Sequence, residues 1–64
     1  MIKTVVKFPP GVVIVLDHKG EQIPEYQGSY ERVRALILKD APDSARFYHA
    51  VFNLTETPTP REEW

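Results

Sequence analysis

Val12-Val13-Ile14-Val15-Leu16 is a run of apolar residues held between Pro9-Pro10-Gly11 and Asp17-His18-Lys19-Gly20. It is too short for a typical helix, is mostly β-branched, and is closed by turn formers at both ends, so it reads as a buried central strand. Side chains alternate across a strand, which turns Val12, Ile14 and Leu16 to one face and Val13 and Val15 to the other. Both faces need cover, and the rest of the chain has to supply it.

Upstream, Met1 to Phe8 alternates imperfectly, with Ile2, Thr4, Val6 and Phe8 on one side and Lys3, Val5 and Lys7 on a wetter one. Pro9 and Pro10 lack amide donors and Gly11 tolerates positive φ, so the first two strands are expected to form an antiparallel hairpin. Downstream, Asp17-His18-Lys19-Gly20 reads as a type I turn with a left-handed glycine. Residues 21–26 hold few large apolar side chains and contain Pro24, which confines any strand there to an edge, and the sequence leaves open whether one forms.

Gly28-Ser29 opens a helix expected from Ser29 to about Lys39. Ser29 suits the N-cap, Glu31 the first turn and Lys39 the last. A spacing of 100° per residue puts Tyr30, Val33, Leu36 and Ile37 on one face, and Pro42 ends the helix near Lys39 or Asp40. Ala45 to Leu54 then reads as a last strand rich in aromatics. Residues 55–64, Thr-Glu-Thr-Pro-Thr-Pro-Arg-Glu-Glu-Trp, are polar and proline-bearing and read as a flexible C-terminal tail with Trp64 its one large apolar group.

The fold expected is therefore α+β: residues 1–54 as a single domain, with a three- or four-stranded, mostly antiparallel sheet and one amphipathic helix on one face. The core expected is Ile2, Val6, Phe8, Val12, Ile14, Leu16, Tyr30, Val33, Leu36, Ile37, Tyr48, Ala50, Phe52 and Leu54. A slip of one residue would exchange Val13 and Val15 for their neighbours.

Sixty-four residues bury only about 60 % of the surface their unfolded chain exposes, and without cysteine no disulfide can compensate. The two imidazoles, His18 and His49, are far apart in sequence with no partner at zinc-like spacing, so neither a metal nor another cofactor is expected. Eight basic against nine acidic residues give a formal net charge of -1, which argues against a protein built chiefly to neutralise phosphate or to lie on an anionic membrane. No signal-peptide core and no membrane-spanning run is present, and a cytoplasmic location is the expectation.

Among candidate sites, Asp17, His18 and Glu21 form the densest titratable cluster, but a solvated turn accounts for them. Ser29 is accounted for as a helix cap. Catalysis is not expected. The aromatic strand around Phe47, Tyr48 and Phe52 resembles the RNA-binding strand of RRM domains in its ring content only, since RRM chains are longer and carry two helices. The order strand, strand, uncertain strand, helix, strand is similar to that of small antitoxin domains with a truncated ribonuclease-H-like fold. That is an order of elements only and does not by itself carry function; a second reading is a small nucleic-acid-binding or antitoxin-like regulator with Lys3, Lys7, Arg46 and Lys19 on the exposed side of the sheet. The leading expectation is a protein-interaction module or accessory subunit, most simply a homodimer. Its partner-binding residues would be Val13, Val15, Phe47, His49 and Val51 on the second sheet face, with Trp64 as an anchor.

Overall fold

The computed structural model describes residues 1–50 and 56–64. Among these it is an α+β fold with one α-helix and a five-stranded mixed sheet. The elements are β1 (Ile2–Phe8), β2 (Val12–Asp17), β3 (Gly28–Ser29), α1 (Tyr30–Asp40), β4 (Arg46–Ala50) and β5 (Glu56–Pro58), with short 3-10 turns at Pro24–Tyr26 and Arg61–Glu63. The strand order is β3-β2-β1-β4-β5. The hairpin β1–β2 forms as expected with Gly11 at φ 140° in its turn, and Gly20 takes φ 80° in the turn after β2.

Three pairings are antiparallel, but β1 and β4 run parallel because α1 carries the chain back across the sheet before β4 begins. No strand forms over residues 21–26. A single isolated bridge pairs Gln22 with Leu16 there; Pro24 starts a 3-10 turn, and the strand on the outer edge of β2 is the two-residue β3. Ser29 occupies the N-cap position with extended backbone, yet its hydroxyl makes no capping bond. The helix ends at Asp40, where the Ala41 amide closes the last turn on Ile37 O at 2.8 Å and Pro42 follows.

The principal correction concerns which face of the sheet is inside. The core beneath α1 is Ile2, Val5, Val13, Val15, Val33, Ile37, Ala41, Ala45, Phe47 and Trp64. Of the other expected core residues, Val12 is 47 % exposed, Phe8, Ile14, Leu16 and Tyr48 are half-buried, and Leu36 is 41 % exposed on the outer side of the helix. Val6 and Ala50 are buried but belong by alternation to the face opposite the helix. Phe52 and Leu54 lie outside the described residues.

Pairing register explains the choice. Leu16 faces Thr4 and Thr4 faces Arg46, so turning Leu16 inward would place the Arg46 side chain under the helix. Burying an unpaired guanidinium costs far more than exposing a valine. With Val5, Val15 and Phe47 inward, Arg46 reaches water. A register shift between Ile2 and Thr4 then allows Ile2 to join Val5 on the inner side, as a bulge does.

Residues 56–64 are built into the fold rather than forming a loose end. β5 pairs with β4, the Thr59 amide donates to Phe47 O at 2.9 Å, and Trp64 is only 2 % exposed. Its indole packs edge-on against Tyr30 and Phe47 at centroid distances of 5.2 and 5.0 Å, and Nε1 donates to Tyr48 O at 3.2 Å. The Tyr30 hydroxyl donates to Trp64 O. Arg61 stacks over Phe47 and donates to the carbonyls of Ala41 and Pro42 just beyond the helix end. One large aromatic group thus ties down a segment that is polar on average.

Candidate functional site

Four of the six residues expected to bind a partner are unavailable for it. Val13, Val15, Phe47 and Trp64 are 1 %, 0 %, 5 % and 2 % exposed and pack on one another within the chain. His49 is exposed and pairs with Lys7 on β1. Val51 lies outside the described residues. The surface that the core leaves over is the opposite face of the sheet, which carries Phe8, Val12, Ile14, Leu16, Thr4 and Tyr48 around the buried Val6. Along its middle runs an apolar row set by register: Ile14 opposite Val6, Val6 opposite Tyr48, and Tyr48 opposite Pro58. Among the described residues no helix lies over this face, because α1, the Arg61–Glu63 turn and Trp64 all pack on the other.

Both sheet edges are poor templates for strand addition. Along the outer edge of β2, Val13 pairs with Gly28, the Asp17 amide donates to Glu21 O at 2.9 Å, and the Ile23 amide donates to Val15 O at 3.0 Å. The remaining amide of Val15 donates to Gln27 Oε1 at 3.0 Å, and Gln27 Nε2 donates back to Val15 O at 2.8 Å and to Ile23 O at 2.6 Å. A side-chain amide here takes the place of a peptide group in the ladder. At the far edge β5 has three residues and ends in Pro58, with Pro60 just beyond, and such short, proline-bearing edges resist further strand pairing.

The titratable candidates have structural roles or none in common. Asp17 Oδ1 accepts from the Lys19 and Glu21 amides at 2.8 and 3.0 Å, and the bond from Glu21, with help from Lys19, holds the carboxyl below its ordinary value of 3.8. The Tyr26 hydroxyl donates to Asp40 Oδ2 at 2.7 Å, which raises the phenol above 10.0 and clips the 3-10 turn to the helix end. Among the described residues no three His, Cys, Asp or Glu side chains converge as metal ligands. A surface depression of about 630 Å³ lies between β4 and the last turn, walled by Arg46, Phe47, Tyr48, Pro58 and Arg61. Arg61 is already committed there to two backbone carbonyls.

The four basic residues expected on the exposed side of the sheet are not gathered into one patch. Lys7 Nζ sits 3.9 Å above the Tyr30 ring on the helix side, Arg46 lies on the face opposite the helix, Lys19 is in the turn after β2 and Lys3 is at the bulge. No described helix is long and apolar enough to cross a membrane. Neither a family model nor a curated protein nor a solved structure matches the chain. The described residues thus define a small α+β domain with its helix on one face of a mixed sheet and an apolar row across the other.

Sequence reasoning found the residues of that face but put them in the core. The deciding signal is Arg46 in register with Thr4 and Leu16, which emerges only once β4 is known to pair in parallel with β1. Gln27 was missed altogether, since nothing local distinguishes a glutamine that replaces a peptide group from one in water.

Proposed function

We propose that the chain is a non-catalytic interaction module that self-associates through the open face of its sheet. The observation that carries this reading is the row Ile14, Val6, Tyr48 and Pro58, with Val6 buried at its centre, continuous with half-buried Phe8 and Leu16 and exposed Val12, on the face over which no described helix lies. Two further features support it. Both edges are poor templates for strand addition, so face-to-face packing at about 10 Å is the geometry favoured. A net charge of -1 sets little repulsion between two copies.

The scale of the interaction follows from size. A molecule with 4460 Å² of accessible surface and extents of 27 × 23 × 21 Å offers one face smaller than the roughly 800 Å² per partner of a standard interface. The dimer should therefore form reversibly. Sedimentation over a wide concentration range should show a mass rising from one chain to two. Ile14→Lys, placed in the middle of the face, should keep the native circular dichroism and remain monomeric. A wild-type mass of one chain at the highest concentration reached would refute the reading.

A further inference from the structure

The open face carries opposite charges at opposite ends. Arg46 stands at the Thr4 end of β4, and Glu56 stands beside Ala50 at the other end, one strand further out on β5; both are exposed. Register and alternation put both on the face of Tyr48, opposite the inward Phe47. The central row between them is apolar.

Resting on the self-association proposed above, we infer the symmetry of the dimer from this arrangement: its two-fold axis runs across the strands, near the Ile14–Val6–Tyr48 row. An isologous face-to-face dimer has two simple choices for an axis in the plane between the sheets. With the axis along the strands, each row faces its own copy. Arg46 then stays in the row of Thr4, while Glu56 of the partner subunit stays in the row of Ala50, four residues or about 13 Å away at strand rise. With the axis across the strands, the two ends exchange. Arg46 then lies opposite the Ala50 end, one strand spacing of about 4.8 Å in projection from Glu56 of the partner subunit. Both side chains are long enough to meet across stacked sheets, and symmetry makes the contact twice.

The same axis brings the apolar row of one copy over that of the other. Tyr48 faces the Tyr48 strand and Ile14 the Ile14 strand, so the desolvated centre is flanked by two Arg–Glu pairs at its rim. Rim charges of this kind fix orientation and register more than they add affinity.

The test is a charge exchange in the full chain, read as the dimer dissociation constant by sedimentation with circular dichroism as a check on folding. Both positions are exposed, so the substitutions leave the core intact. Arg46→Glu and Glu56→Arg should each weaken the dimer roughly tenfold by setting like charges face to face, and the double variant should recover most of the loss. The wild-type dimer should weaken with added salt as its rim pairs are screened. Single variants that dimerise like the wild type, or a double variant no better than the singles, would overturn the orientation while leaving self-association intact. Absence of any wild-type dimer would instead overturn the underlying reading, and this inference with it.

Discussion

Replacing Trp64 with alanine is the most discriminating perturbation, because the sequence and the structure give it opposite consequences. On a solvated tail the change would alter stability by no more than about 0.5 kcal/mol. In the fold, Trp64 is 2 % exposed, touches Tyr30 and Phe47 edge-on, and bonds through Nε1 to Tyr48 O. Removing such a side chain from a core costs about 3–5 kcal/mol. A chain of 64 residues has a total stability of roughly 3–10 kcal/mol, so the variant should lose from about 30 % to all of it. Urea unfolding followed by far-ultraviolet circular dichroism measures the difference, since the variant has no tryptophan left to report. Trp64→Phe should fall between, keeping a ring between Tyr30 and Phe47 but giving up the bond to Tyr48 O. A Trp64→Ala midpoint equivalent to less than about 1 kcal/mol of destabilisation would refute the placement of residues 56–64 in the core.

Three further outcomes are expected. Gln27→Glu sets a carboxylate oxygen against the carbonyls of Val15 and Ile23 and should cost roughly 1–3 kcal/mol at neutral pH. Protonation supplies a donor again, so the folded state raises this carboxyl's pKa and the loss should shrink as pH falls; an effect independent of pH in urea unfolding would refute it. The Asp17 carboxyl is depressed in the fold, so its stabilisation of the turn is present above 3.8 and is lost as pH falls through the lowered value. Exchange of the Lys19 and Glu21 amides should quicken there in the wild type and show no such step in Asp17→Asn. Val15→Asp, at a position 0 % exposed, should unfold the chain, in contrast to the folded monomer expected of Ile14→Lys.

Local pattern was enough for the two long strands, the helix and both turn glycines, because turn chemistry and periodicity act over a few residues. It was insufficient for the facing of β2, whose two sides are equally apolar. That choice rests on Arg46, thirty positions beyond Leu16 and joined to it through Thr4. Average composition likewise hid the last segment, where polar residues predominate and a single indole decides the outcome. For the candidate site, the sequence showed that one helix could not cover both apolar faces, but the same ambiguity of parity assigned Val13, Val15 and Phe47 to the face away from the helix, whereas they pack beneath it.

The two faces of the sheet also make separable claims about association. Trp64 is the only tryptophan and is enclosed on the helix side, while Tyr48 and Ile14 stand on the other. Packing of two open faces leaves the surroundings of the indole unchanged, so its emission should stay constant as concentration drives the mass from one chain to two. Exchange of the β5 segment between copies is the competing route, since β5 lies at the end of the strand order and is exposed along all three of its residues. Exchange must draw the indole out through solvent before it re-enters a second copy. It would therefore be slow and would pass through red-shifted emission. An emission change tracking dimer formation would move the association to that segment and leave the open face without a role in it.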